Sequence, residues 1–195
     1  ARRGKERFRN APRLCNNPSV PASRRLRFLQ APGERDKTMS SNQARPVLGI
    51  IGGSGVYDID GLAGKRWEKV LSPFGQPSDE VLCGELDVQA MVFLPRHGRG
   101  HRIPPSEINF RANIDALKRL GVTDVVSVSA VGSLREHLHP GMFVIVDQFI
   151  DRTFARNKSF FGTGMVAHVS MAHPVCRRLG DHLEAAAREA GIDVA

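Results

Sequence analysis

The sequence predicts an α/β layered domain in which a sheet is largely covered by helices. Residues 47–51 form a continuous apolar run, which is typical of a strand buried on both faces. Residues 106–121 carry apolar side chains at the spacing of an amphipathic helix. The predicted elements follow in the order strand, hairpin, helix, strand, strand, helix, and this alternation is typical of the α/β class.

The strands are predicted from short apolar or β-branched runs bounded by turn residues. The first, residues 47–51, ends at the glycine-rich turn 52–55. Residues 81–86 and 88–94 are predicted as a hairpin that turns near residues 85–87, and a basic loop follows at 95–105. Residues 124–130 and 142–146 are predicted as two further strands, and residues 192–195 as the beginning of another.

Two helices have predictable ends. In the first, Ser106 is the expected cap and Gly121 the expected end, and the apolar stripe consists of Phe110, Ile114, Leu117 and Leu120. The second is predicted over residues 174–190 and closed by Gly191, with one side formed by Leu179, Leu183, Ala186 and Ala190. Both patterns predict helices that lie on the sheet.

The net charge of +8 is confined to the first 38 residues. Residues 1–38 contain eleven of the 28 basic residues and three of the 20 acidic ones, so residues 39–195 are neutral overall. We therefore expect a basic, disordered extension at 1–38 and a folded domain at 39–195. The extension is most simply sequence upstream of a start at Met39, and a targeting leader or a nucleic-acid-binding arm are the alternatives. The neutral domain itself gives no reason to expect nucleic-acid binding.

Composition excludes several other classes of protein. Apolar residues make up 41% and charged residues 25% of the chain, which is the usual globular mixture. The longest stretch without a charged residue, 159–176, contains polar and histidine residues, so no membrane span is predicted. The three cysteines, Cys15, Cys83 and Cys176, are widely spaced and fit neither a disulfide framework nor a zinc site. We expect reduced thiols, a cytoplasmic protein and no metal.

Donor groups follow three of the predicted strands. Ser54 lies in the glycine-rich turn, Arg96 and His97 follow the second hairpin strand, and Ser129 lies near the end of the strand at 124–130. Each turn alone is often an ordinary loop, but open α/β sheets bind ligands at the carboxyl ends of their strands. Hydroxyls, a guanidinium and backbone N–H groups together suit a phosphate-sized dianion. A metal site at His97 and His101 is disfavoured, because glycines separate them.

Five segments give the sequence a resemblance to a known family. They are VLGIIGGSGVYDIDGL, SPFGQPSD, PRHGRGHRIPPSEINFRANIDALKRLG, VSAVGSLREHLHPGMFVIVDQFIDRT and SFFGTGMVAHVSMAHPVC. In this order they resemble the 5'-methylthioadenosine phosphorylases of the trimeric purine nucleoside phosphorylase family. The resemblance runs from residue 47 to the end of the chain. It implies a mixed central sheet flanked by helices, truncated at its C-terminus, and a homotrimer when full length.

The resemblance also implies an activity and a set of site residues. The family cleaves a purine nucleoside with inorganic phosphate and releases a purine and a pentose 1-phosphate, with no metal or organic cofactor. Its phosphate-binding positions match Ser54, Arg96, His97, Ser129 and Ala130. His168 matches a histidine that the family offers to the methylthio group across the subunit boundary. S-methyl-5'-thioadenosine is the expected nucleoside, which would place the protein in methionine and purine salvage.

The family's purine-binding acid and ribose-packing methionine lie beyond the residues matched here. The catalytic acid therefore stays unassigned, and we expect the 195-residue chain to be inactive alone. Methylthioinosine, inosine or guanosine are alternative substrates, and a non-catalytic phosphate- or nucleotide-binding subunit is an alternative function.

Overall fold

The computed structural model describes residues 45–53, 55 and 59–195, so the extension at 1–38 and Ser54 lie outside the described residues. Its centre is a five-stranded sheet of order β2-β3-β4-β1-β5. The strands are β1 (Val47–Gly52), β2 (Ala63–Glu68), β3 (Val81–Leu86), β4 (Gln89–Pro95) and β5 (Asp124–Ser127). The strands β4, β1 and β5 run parallel, whereas β2, β3 and β4 pair antiparallel. The expected mixed sheet is confirmed.

The core forms on both faces of the sheet because side chains alternate along β3 and β4. One cluster joins the sheet to the helix α1 (Phe110–Arg119) and consists of Val81, Cys83, Val92, Leu94, Ala116, Leu117 and Val122. The opposite cluster consists of Leu62, Leu82, Met91 and Phe93. Phe93 and Leu94 are each 1% exposed although they face opposite sides, so this part of the sheet is covered on both faces.

Helix α1 begins later than the sequence pattern indicates. Asn109 caps it by accepting a hydrogen bond from the backbone N–H of Ala112 at 3.1 Å, whereas Ser106 lies in a short 3-10 turn at Pro105–Glu107. The predicted cap at Ser106 is wrong, and the predicted end at Gly121 is confirmed by its φ of +81°.

The buried side of α1 also differs from the expected stripe. Phe110 and Ile114 are 43% and 41% exposed, and the buried positions are Ala112, Asn113, Ala116 and Leu117. The two alanines have little bulk and let the helix backbone approach the sheet closely. Leu117 and Leu120 of the expected stripe do pack in the core, and the two alanines, which the stripe omitted, complete the buried side.

Strand β2 was not expected from the sequence. It contains Lys65, Arg66 and Glu68, and all but its last residue are exposed. It pairs antiparallel with β3 at the edge of the sheet, with an irregularity between Ala63 and Arg66. An exposed edge strand needs only backbone hydrogen bonds to its one neighbour, so it carries no apolar pattern.

The C-terminal part contains the second helix and one short pairing. Helix α2 (Arg177–Glu189) lies within the predicted range, and Gly191 follows it with a φ of +70°. None of its residues is buried, so the expectation that its apolar side lies on the sheet is wrong. Residues 142–146 form no regular strand, contrary to expectation. Phe143 instead makes a single parallel bridge to Val194, supported by hydrogen bonds to residues 193 and 195. Within the described residues, no helix is both long and apolar enough to cross a membrane.

Candidate active site at the strand ends

The carboxyl ends of three strands meet at one edge of the sheet. β1 lies between β4 and β5 and runs parallel to both. In this register Gly52 faces Pro95 and Ile51 faces Ser127, so the loops that follow the three strands start side by side. The expected convergence of the three turns is therefore present in the fold, apart from Ser54, which is not among the described residues. Its neighbour Gly55 has a φ of +99°, a conformation that favours glycine.

Arg96 links the three strand ends. Its backbone N–H donates to the carbonyl of Gly52 at 3.0 Å, which continues the pairing of β4 with β1 by one residue. Its side chain reaches the loop after β5, where Nη1 donates to the carbonyl of Val128 at 3.1 Å and to the hydroxyl of Ser129. The guanidinium is thus held at the edge of the sheet beside Ser129, and Ala130 follows in the same exposed loop.

His97 is buried behind Arg96, with 8% of its surface exposed. Its Nε2 accepts a hydrogen bond from Arg96 Nε at 3.0 Å, so the ring proton must lie on Nδ1. Nδ1 in turn donates to the carbonyl of Ile103 at 2.8 Å. In this arrangement His97 orients the guanidinium of Arg96 and presents no proton of its own at Nε2. We call Arg96, His97 and Ser129 the strand-end cluster.

The loop that carries Arg96 and His97 is a compact series of turns. Gly98 and Gly100 have φ values of +70° and +78°, and His101 adopts +55°, which is uncommon for a residue with a side chain. The His101 ring stacks on the His97 ring with 4.3 Å between their centroids. The His101 ring covers one face of the His97 ring, and this contact helps to give the loop a defined shape without regular secondary structure.

The remaining predicted residues are less tied to this edge. His168 is exposed and lies outside helices and strands. Hydrogen bonds join the three members of the strand-end cluster, and none among the described residues joins His168 to them. No group of three or more His, Cys, Asp or Glu in the described part of the chain is arranged to hold a metal ion.

Two cavities lie elsewhere on the molecule. One of about 380 Å³ is lined by Lys69, Val70, Gln76, Pro77, Asp79, Glu80, Arg99 and Arg102. The other, of about 390 Å³, is lined by residues 106 and 152–156. Neither cavity is lined by a member of the strand-end cluster. A phosphate ion needs only convergent donors, and the strand-end cluster supplies them.

Sequence reasoning missed one part of this neighbourhood. Asp79 accepts hydrogen bonds from the backbone and side chain of Arg99, two residues after His97. Asp79 belongs to the segment SPFGQPSD, which contributed to the resemblance but suggested no role by itself. A lone aspartate in a turn gives no signal of a partner twenty residues away.

The comparisons with known proteins agree with this fold. A family model described as "Phosphorylase superfamily" matches residues 47–195. The S-methyl-5'-thioadenosine phosphorylase of Rhodospirillum rubrum is 70% identical over 146 residues, which cover 75% of this chain and 50% of the relative. That of Cereibacter sphaeroides is 64% identical over 150 residues, covering 77% and 52%.

Solved structures give the same result. A methylthioadenosine phosphorylase from an antarctic soil metagenomic library superimposes with a TM-score of 0.73 at 52% identity, covering 77% of this chain and 53% of that one. The methylthioadenosine phosphorylase of Schistosoma mansoni in its apo form gives 0.73 at 45% identity, covering 77% and 56%. The chain spans about half the length of the curated relatives it matches. The resemblance seen in the sequence is thereby confirmed: over residues 47–195, the chain belongs to the phosphorylase superfamily.

Proposed function

We propose that this chain forms the phosphate-binding half of a pentosyltransferase that cleaves S-methyl-5'-thioadenosine. Inorganic phosphate would attack C1' of the nucleoside and release adenine and S-methyl-5-thioribose 1-phosphate. The observation that carries the proposal is Arg96, which bridges the ends of β4 and β5 and lies beside β1. The relatives named S-methyl-5'-thioadenosine phosphorylase, at 60–70% identity, support the choice of nucleoside.

Arg96 supplies the charge that the reaction needs. Nε of Arg96 donates to His97 and Nη1 donates to Val128 and Ser129, so Nη2 is the nitrogen left to donate to phosphate, in a bond strengthened by the charge of the guanidinium. The hydroxyls of Ser54 and Ser129 and the backbone N–H of Ala130 are the further donors that we assign to phosphate. His97 holds Arg96 from behind through Nε2, at 3.0 Å from Arg96 Nε.

The mechanism follows from holding this anion next to the sugar. As the bond from C1' to the purine breaks, positive charge develops on the ribosyl ring. A bound phosphate dianion both balances this charge and attacks C1', so the contribution of the protein is positioning and electrostatic stabilisation. The departing adenine needs a proton or a hydrogen bond at its imidazole nitrogen, and we place the acid that supplies it outside these 195 residues.

We extend the proposal to the domain bounds, the oligomeric state, the cofactors and the cellular location of the whole protein. The catalytic domain begins at Met39, residues 1–38 are an extension to it, and three copies form a homotrimer. His168 of one copy contributes to the methylthio pocket of its neighbour, a role that its exposed position allows. Phosphate is a co-substrate and no other cofactor is required. The enzyme acts in the cytoplasm, in methionine and purine salvage.

A chimaera tests the activity. Residues 39–195 are joined to the C-terminal half of the Rhodospirillum rubrum relative, and adenine release from S-methyl-5'-thioadenosine is measured with and without phosphate. We expect release that depends on phosphate. The preference among S-methyl-5'-thioadenosine, methylthioinosine, inosine and guanosine reports the relative's half, which supplies the purine-binding acid, so the phosphate dependence is the result that tests this chain. Residues 39–195 alone are the matched control and are expected to be inactive. A folded, trimeric chimaera that releases no purine from any of the four nucleosides would indicate a non-catalytic subunit.

A further inference from the structure

We propose that Asp79 is a positioning residue that holds the loop 96–102 so that Arg96 and His97 face the strand ends. The inference rests on the proposed function, because it assigns Asp79 a role in phosphate binding by Arg96. Asp79 does not reach the strand-end cluster itself. It acts through Arg99 and Arg102, which lie in the same loop as Arg96.

Asp79 binds the loop through both the main chain and the side chain of Arg99. Its carboxylate is 7% exposed. Oδ2 accepts the backbone N–H of Arg99 at 2.6 Å, and Oδ1 accepts Nη2 of Arg99 at 2.9 Å. Nη2 of Arg102 lies 3.7 Å from Oδ2. A backbone contact of this kind fixes the path of the loop, which an ion pair between two flexible side chains would not do.

The hydrogen bonds around Asp79 favour the ionised form of its carboxyl group. Burial alone would raise the pKa of its carboxyl group, but the hydrogen bonds from Arg99 outweigh burial and lower the pKa below its usual value. The carboxylate is therefore ionised at neutral pH. Arg99 makes two further contacts. Its Nη2 lies 3.0 Å from Glu80 Oε2, and its Cζ lies 4.1 Å from the centre of the Trp67 ring.

The hydrogen bonds within the loop, including that of His97 Nδ1 to Ile103, shape its turns but do not fix it against neighbouring segments. Three backbone bonds close its turns, from Gly98 to Pro95, from His101 to Gly98 and from Ile103 to His97. Its left-handed residues exclude it from any helix or strand ladder. The segment containing Asp79 lies directly against it, since a Cβ built on Gly98 would be 3.1 Å from the carbonyl of Ser78.

The segment containing Asp79 is itself fixed to helix α1. The side chain of Asn113 accepts the backbone N–H of Ser78 at 2.8 Å and donates to its hydroxyl at 2.9 Å, and both residues are buried. Arg102 donates to the carbonyl of Ser78 at 2.9 Å. A continuous set of contacts thus runs from α1 through Ser78 and Asp79 to the loop, and from Arg96 to the end of β5.

The first test measures phosphate binding by the 195-residue chain in wild type and in Asp79→Asn, Asp79→Glu and Asp115→Asn. Asp115 is the matched control because it forms an ion pair with Arg119 at 2.6 Å on α1 and its pKa is also lowered. We expect inorganic phosphate to bind Asp79→Asn about tenfold to 10²-fold more weakly, the range typical of a misplaced binding group. Asp79→Glu should recover part of the loss, and Asp115→Asn should change binding by no more than about twofold.

The second test measures the state of the His97 ring, and through it the conformation of the loop, in the absence of phosphate. The ¹⁵N signals of the His97 ring report which nitrogen carries the proton and whether the other accepts a hydrogen bond. We expect a single Nδ1–H tautomer in wild type and Asp115→Asn, and an exchanging mixture of ring states in Asp79→Asn. A change of these signals at unchanged melting temperature cannot come from general destabilisation. If Asp79→Asn does not fold, Asp79→Ser, which takes the carboxylate away from both the backbone N–H and the side chain of Arg99, replaces it in both tests.

The outcomes separate the two proposals. Unchanged His97 signals in Asp79→Asn, or in Asp79→Ser where that variant is used, would overturn the positioning role. So would phosphate binding equal to that of wild type. If the wild-type chain binds no phosphate while its His97 signals still depend on Asp79, the phosphate assignment fails and the control of the loop by Asp79 stands.

Discussion

Replacing Arg96 with alanine tests whether the strand ends bind phosphate. In the wild-type chain, Arg96 donates from its side chain to His97, Val128 and Ser129. The alanine variant removes the guanidinium and leaves β4 unchanged, because the contact with Gly52 is made by the backbone N–H of residue 96. The variant therefore removes a binding group without removing a part of the sheet.

The expected loss of phosphate affinity in Arg96→Ala follows from the contacts that are lost. A charge-assisted hydrogen bond to an anion contributes about 1.5–3 kcal/mol, so the phosphate dissociation constant should rise about 10- to 150-fold. The effect on folding should be limited. Val128 and Ser129 are exposed, so water can replace their lost donor, but Nε2 of the buried His97 also loses the hydrogen bond from Arg96 Nε. The free energy of unfolding should therefore fall by about 1–3 kcal/mol.

Phosphate binding can be followed by ³¹P NMR titration, which requires no catalysis. Arg119→Ala is the matched control, because it removes one positive charge from an exposed ion pair on α1. We expect it to leave phosphate binding unchanged. Arg96→Lys keeps the charge but not the planar fork, and should give an intermediate affinity. Wild-type affinity in Arg96→Ala would refute the site, and equal weakening in both alanine variants would indicate non-specific attraction.

Four further outcomes can be measured. Asn113→Ala leaves the buried N–H and hydroxyl of Ser78 without partners, so the free energy of unfolding in urea should fall by about 1–3 kcal/mol for each group, whereas Lys118→Ala on the exposed side of α1 should change it little. The lowered pKa of Asp79 means that its ion pair stabilises the fold above about pH 4 and that this stabilisation is lost as the pH falls through the folded-state value. The stability difference between wild type and Asp79→Asn should accordingly shrink in acid, and a constant difference would argue against a charge effect. Deleting residues 1–38 should leave the melting temperature unchanged, because they hold the excess charge and no periodic apolar residues. Residues 39–195 alone should bind a hydrophobic dye and self-associate, since Val131, Leu134 and Ile150 are 80%, 98% and 88% exposed; a dye-free monomer would contradict this.

Local sequence patterns were sufficient for several elements. β1 and the β3–β4 hairpin lie where their apolar runs predicted them, and α2, which has no buried residue, lies where its helical spacing predicted it. The glycines at 121 and 191 marked the ends of both helices, because a residue in the left-handed region is needed there. These signals are local, since each depends on residues within a few positions of one another.

The elements that were missed depend on neighbours distant in sequence. β2 is recognisable only by its pairing with β3, and residues 142–146 form no regular strand because they pair only with residues 193–195. The true cap of α1 was missed for a related reason. Asn109 is held at that position by a hydrogen bond to the carbonyl of Phe74, 35 residues earlier.

For the candidate site, the sequence by itself determined which chemical groups follow the strands. A serine, an arginine–histidine pair and a second serine after three predicted strands were enough to predict a phosphate site. The tertiary structure decided how these groups relate to one another. The parallel register of β4, β1 and β5 places Arg96 beside Ser129, 33 residues away. The antiparallel pairing of β3 with β4 brings Asp79, two residues before β3, close to the loop at Arg99, 20 residues away. Such contacts depend on strand order and side-chain direction, which no local pattern encodes, because they arise only when distant segments pack on the same sheet.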